Sequence, residues 1–75
     1  MNAPALVYQF ATKPETAFAD LDVVRLVSDM TTDEGEAVPA GTRGTVVGVW
    51  GDGEAYEVEV EAGLVTAKAA QLVMA

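Results

Sequence analysis

The sequence predicts an all-β fold, a small barrel of about five short strands, and two observations carry that prediction. Short apolar runs follow one another with turn formers at regular spacing, the pattern of a small barrel rather than of an α/β fold. The stretch from Val38 to Val60, VPAGTRGTVVGVWGDGEAYEVEV, reads as a β-hairpin. Pro39-Ala40-Gly41 makes the opening turn, GTVVGVW the first arm and Gly51-Asp52-Gly53 the reversal, and AYEVEV returns with apolar and charged residues in strict alternation. With 75 residues the chain makes one small domain, of a size that buries only about 60% of the surface its unfolded form exposes. The core must be thin, and oligomerisation is one standard way for such a chain to gain buried area.

Residues 1–20 read as an extension ahead of the domain proper, which spans 21–75. Leu6, Tyr8 and Phe10 alternate with Val7 and Gln9 after Pro4, a short strand pattern that Lys13-Pro14-Glu15-Thr16 breaks. An isolated strand does not stand alone in water, so three courses are open: an added edge in its own sheet, pairing with a neighbouring subunit, or disorder. Residues 16–19 are consistent with one helical turn capped by Thr16.

Leu21 to Val27, LDVVRLV, is the first strand of the domain. Asp22, Val24 and Leu26 face one way, and Leu21, Val23, Arg25 and Val27 the other. Apolar groups on both faces imply two covers, the barrel interior and a long loop folded over the outside. Arg25 has an apolar neighbourhood for its stem, with Asp22 or a loop acid to pair its guanidinium. Ser28 to Ala40, SDMTTDEGEAVPA, is that loop, long for a compact domain, with carboxylates at Asp33, Glu34 and Glu36 and a turn glycine at Gly35. It reads either as a solvated acidic loop or as a recognition loop with a negative tip.

In the hairpin, simple alternation puts Val47 and Val49 on one face and Val46 and Trp50 on the other, beside Gly48. Gly41 and Gly44 mark positions that need positive φ or a close backbone approach. Tyr56, Val58 and Val60 form the buried face of the second arm, and Glu57, Glu59 and Glu61 the exposed one. The chain ends with a short strand at Leu64 to Thr66, a helical turn over Ala67 to Gln71 and a last strand at Leu72 to Met74.

LDVVRL, then PAGTRGTVV, then EAYEVEV and a short ending with AAQL together resemble a family of small bacterial proteins of unknown function with an SH3-like β-barrel, over Leu21 to Met74. The resemblance implies an SH3-like barrel and an accessory, immunity-like or antitoxin-like role, since such proteins turn up in mobile gene cassettes and beside toxin-like genes. Gly44, Val46, Val47 and Val49 also resemble the hairpin of the KOW element of ribosomal and transcription factors. The basic residues that contact RNA in those proteins are replaced here by Glu54, Glu57, Glu59 and Glu61, so the likeness is one of geometry and not of function.

Twelve acidic residues against four basic ones give a formal net charge of −8. Affinity for nucleic acid rests on clustered Lys and Arg that release counterions, and Lys13, Arg25, Arg43 and Lys68 are scattered among carboxylates, so nucleic acid is excluded as a partner. The charge serves solubility, or complementarity to a basic partner. No run approaches the ~20 apolar residues of a membrane span, and the start lacks the basic region of a secretory signal, which points to the cytoplasm.

With no cysteine and no histidine, the usual zinc sets and the usual general base are missing. No nucleophile paired with a base, no metal-ligand cluster and no phosphate loop can be assembled, so no catalytic, cofactor or metal residue is assigned and no enzyme is expected. The expected function is protein binding, with candidate partner residues Asp33, Glu34, Glu36, Arg43, Trp50, Asp52, Glu57, Glu59 and Glu61. The alternative is a self-assembling structural protein that pairs through Leu6, Tyr8 and Phe10. Four of the candidate partner residues have a plainer role, Glu57, Glu59 and Glu61 as a solvated sheet face and Trp50 as a packing residue near the barrel end, and Tyr56 across the reversal reads as a core residue with its hydroxyl at the rim. One Trp and two Tyr would make only a poor groove for a proline-rich peptide.

Overall fold

The computed structural model describes residues 16–75, and the strand pattern at Leu6, Tyr8 and Phe10 lies outside the described residues. The fold is all-β. Five strands form one antiparallel sheet in the order β6-β5-β4-β1-β7, where β1 is Val23–Leu26, β4 Arg43–Trp50, β5 Ala55–Val60, β6 Gly63–Ala67 and β7 Leu72–Met74. Two short strands, β2 (Met30–Thr31) and β3 (Ala37–Val38), pair as a separate ribbon. A single 3-10 turn, Ala69–Gln71, joins β6 to β7.

The inner face of the sheet holds Val24, Leu26, Val46, Tyr56, Val58, Val65 and Leu72, all buried. The sequence run Ser28 to Ala40, expected as a loop over the outside of β1, instead folds back on itself as the ribbon and covers the core side. Val38 joins the core cluster and Met30 packs against it, while Val23 on the outer face of β1 and Val27 just after the strand stay exposed. Such short strands hold together because a buried threonine closes their turn. The Thr32 hydroxyl accepts from the backbone N–H of Glu36 at 2.9 Å and of Glu34 at 3.3 Å, and the Gly35 N–H returns to the Thr32 carbonyl.

The packed unit also takes in residues ahead of Leu21. Phe18 is 8% exposed and meets Tyr56 edge-to-face with ring centroids 5.4 Å apart. Residues 16–19 form a bend rather than a helical turn, because the Thr16 hydroxyl donates to the Phe18 carbonyl at 2.7 Å and the Ala19 N–H is taken by the Asp22 carboxylate at 2.9 Å. Tyr56 is fully buried, and its hydroxyl, expected at the rim, accepts from the Ala17 N–H at 3.1 Å and the Phe18 N–H at 3.4 Å. Leu21, expected on the first strand, sits in the following turn at φ 74° and is exposed.

The main departure from simple alternation is a β-bulge in β4. Val46 pairs with Val58 and Gly48 with Glu57, so Val47 is an extra residue on its strand. The parity changes there. Val46 and Val49 both turn inward, and Val47 and Trp50 turn outward, in place of the expected pairing of Val47 with Val49 and of Val46 with Trp50. Trp50 is therefore no packing residue, being 59% exposed.

The two glycines of the opening turn and first arm serve the two purposes foreseen for them. Gly41 has φ 89° in a turn closed by the Thr42 N–H on the Pro39 carbonyl. Gly44 is the close approach: a Cβ there would lie 2.6 Å from Val58 Cγ1, 2.7 Å from the Glu59 carbonyl oxygen and 2.8 Å from Val60 Cγ1.

Candidate functional site

The inner face is filled by apolar packing, so chemistry falls to the outer face and the loop ends. Along β5 the alternation works as the sequence indicates, with Glu57 and Glu59 directed outward opposite Tyr56 and Val58. Glu61 leaves that row, since it lies in the turn before β6. The tight connection at Glu61-Ala62 sets the next register: Val60 pairs with Gly63, which places Leu64 beside Glu59 and Thr66 beside Glu57.

Two of the sequence candidates meet through that threonine. The Thr66 hydroxyl oxygen is 2.9 Å from Glu57 Oε1 and 3.0 Å from Asp33 Oδ1. The bulge turns Trp50 onto the same face, where its indole N–H donates to Glu57 Oε1 at 3.5 Å. Asp33 reaches this position because its backbone N–H bonds the Leu64 carbonyl at 2.8 Å, tying the tip of the ribbon to the edge of β6. Between that tip and the edge lies a depression of about 320 Å³ lined by Thr32, Asp33, Glu34, Gly63 and Leu64.

The chemistry of this face follows from counting donors against acceptors. Two carboxylates compete for one hydroxyl hydrogen, which serves only one of them at a time, and the single indole N–H is the other side-chain donor bonded there. Acceptor oxygens at Asp33 and Glu57 are thus left over, beside an exposed indole. Such a surface receives N–H donors, above all charged ones.

The remaining candidates are placed elsewhere. Asp52 is exposed in the turn after Trp50, and Glu36 is exposed at the far side of the ribbon turn. Arg43 is exposed at the start of β4 and lies directly across from Arg25 on β1. Arg25 does not pair with Asp22 or a loop acid as expected; its Nη1 donates to the Gly41 carbonyl at 3.0 Å. Among the described residues no group of three or more Asp, Glu, His or Cys side chains could hold a metal ion, and no helix is long and apolar enough to cross a membrane.

Sequence reasoning missed Thr66, Leu64 and Phe18. The first two were within reach, because a two-residue connection between AYEVEV and GLVTA dictates which residues face each other across it. Phe18 has no local signal, since its role depends on a contact with Tyr56 far along the chain.

Comparisons with protein-family models, with curated proteins and with solved structures find no match.

Proposed function

We propose that the chain is a non-enzymatic protein-binding module whose acidic outer face around Trp50 docks a basic segment of a partner. One observation carries the reading: two carboxylates, Asp33 and Glu57, share a single hydroxyl donor next to an exposed tryptophan. A lysine or arginine side chain supplies the missing donors and stacks its cationic end over the indole, a contact worth ~0.5–1 kcal/mol at an exposed site. The depression beside Leu64 accommodates the neighbouring part of the segment. The net charge of −8 draws such a partner in at long range, so the association weakens with salt. The resemblance of the sequence to small accessory proteins found beside toxin-like genes supports an immunity-like role for this docking.

Fluorescence anisotropy of a labelled Lys- and Arg-containing peptide tests the site. Glu57→Gln and Asp33→Asn are each expected to weaken binding by about three- to fivefold, while Glu61→Gln, a carboxylate outside the cluster, changes it by less than about 1.5-fold. Equal losses from all three would mean that only the overall charge is felt, and the docking face would be wrong.

A further inference from the structure

The acidic face leaves unexplained a second feature, on β1 and β4. The chain has four basic residues and twelve acidic ones, yet two of the four, Arg25 and Arg43, stand opposite one another in register across an antiparallel pair. Side chains so placed have Cβ atoms only ~5 Å apart, and like charges directly opposite are destabilising. Both arginines are exposed on the outer face. Two carboxylates near by are engaged elsewhere, Asp22 accepting from the Ala19 N–H and Asp29 from the Ala40 N–H at 2.8 Å, while Glu59 stands outward on β5 opposite Thr45, two residues along β4 from Arg43. Among the described residues, the hydrogen bond made by this pair runs from Arg25 to the Gly41 carbonyl, which holds one guanidinium by a single one of its five donors. On the β1–β7 side the surroundings are apolar. Val73 pairs with Arg25, Val23 lies two residues along the same face, and both are exposed.

We infer that the Arg25–Arg43 pair is a second docking site, for a partner segment that carries a carboxylate side chain flanked by apolar residues. Two guanidinium forks at cross-strand spacing bind one carboxylate from both sides, and the held Arg25 reduces the ordering cost of that contact. Charge complementarity selects an acidic segment, and Val23 and Val73 give its neighbours an apolar seat. The site lies on the same outer face of the sheet as the acidic cluster around Trp50, further along the strands, and is opposite to it in sign.

Nuclear magnetic resonance of the full chain provides the test, read at the side-chain Nε–H signals of Arg25 and Arg43 and the backbone amides of Val23 and Val73. The probe is a short peptide alternating glutamate with valine, run against the same peptide with glutamine and against inorganic phosphate at matched ionic strength. The expected result is a saturable shift with the glutamate peptide, with affinity at least about tenfold lower for the glutamine peptide and for phosphate. The shift should be abolished in Arg25→Gln/Arg43→Gln, whose remaining spectrum stays that of the folded chain. No saturable shift, the same shift in the double variant, or phosphate binding as tightly as the peptide would each overturn the inference.

Discussion

Replacing Gly44 by alanine puts the packing of the sheet to its sharpest test. The added Cβ would meet three atoms closer than 3.0 Å, two of them methyls of Val58 and Val60 on the buried face and one the carbonyl oxygen of Glu59. The methyls cannot turn away without entering a filled core, and the carbonyl belongs to the β4–β5 ladder, so the two strands must separate locally. Overpacking of this kind costs ~1–3 kcal/mol, and a clash that includes backbone belongs at the upper end, about 3 kcal/mol. For a domain of this size each kcal/mol lowers Tm by ~4–8 °C, so the midpoint should fall by about 12–24 °C. Thermal unfolding followed by far-ultraviolet circular dichroism measures it. Gly48→Ala is the control, since its Cβ would find only the Glu57 Cβ at 3.5 Å, an ordinary contact. A Gly44→Ala midpoint within about 2 °C of the Gly48→Ala midpoint would refute the close approach and with it the register of β4 on β5.

Other substitutions probe separate parts of the account. Leu21 sits exposed at φ 74°, a conformation that costs a branched residue ~1–2 kcal/mol, so Leu21→Gly should leave stability unchanged or raise it in urea unfolding despite the lost side chain. Tyr56→Phe strands the Ala17 and Phe18 N–H groups and should cost ~1–3 kcal/mol, with faster amide exchange at those two residues before any other. The bulge predicts unequal neighbours: Val46→Thr should cost ~1–3 kcal/mol by burying a hydroxyl, and Val47→Thr no more than about 0.5 kcal/mol, where equal losses would restore simple alternation.

The second arm of the hairpin was legible in the sequence because its signal is entirely local. AYEVEV alternates without interruption, and Tyr56, Val58 and Val60 are buried while Glu57 and Glu59 face out. The final strand was read as it is, but the turn before it spans Ala69–Gln71 and not Ala67 to Gln71, because Ala67 pairs with Tyr56 as the last residue of β6. GTVVGVW was not, because an extra residue at Val47 reverses the parity and two adjacent valines with a glycine give no sign of which one is surplus. That single residue decides whether Trp50 packs or is displayed, and so decides the candidate site. The ribbon escaped notice because Met30–Thr31 and Ala37–Val38 are too short to show a period, and their pairing depends on the Thr32 side chain. Asp33, Trp50 and Glu57 were each singled out from the sequence, whereas the meeting of Asp33 and Glu57 at Thr66, with Trp50 on Glu57, is set by pairing between separate strands and by the bond that anchors Asp33 to Leu64. The opposed arginines belong to the same class, being 18 residues apart in sequence and adjacent only across β1 and β4.

The central claim is that the acidic face around Trp50 receives a basic segment, and the chain carries its own reporter in that tryptophan, the only one present. Trp50 emission should change saturably as a Lys- and Arg-containing peptide is added, and the midpoint should move to higher peptide concentration as salt rises from about 50 to about 300 mM, as screening shortens the reach of the surface charge. A tryptophan signal that stays flat while the peptide binds would contradict the account, because the contact would then lie somewhere other than the face that Trp50, Glu57, Thr66 and Asp33 build.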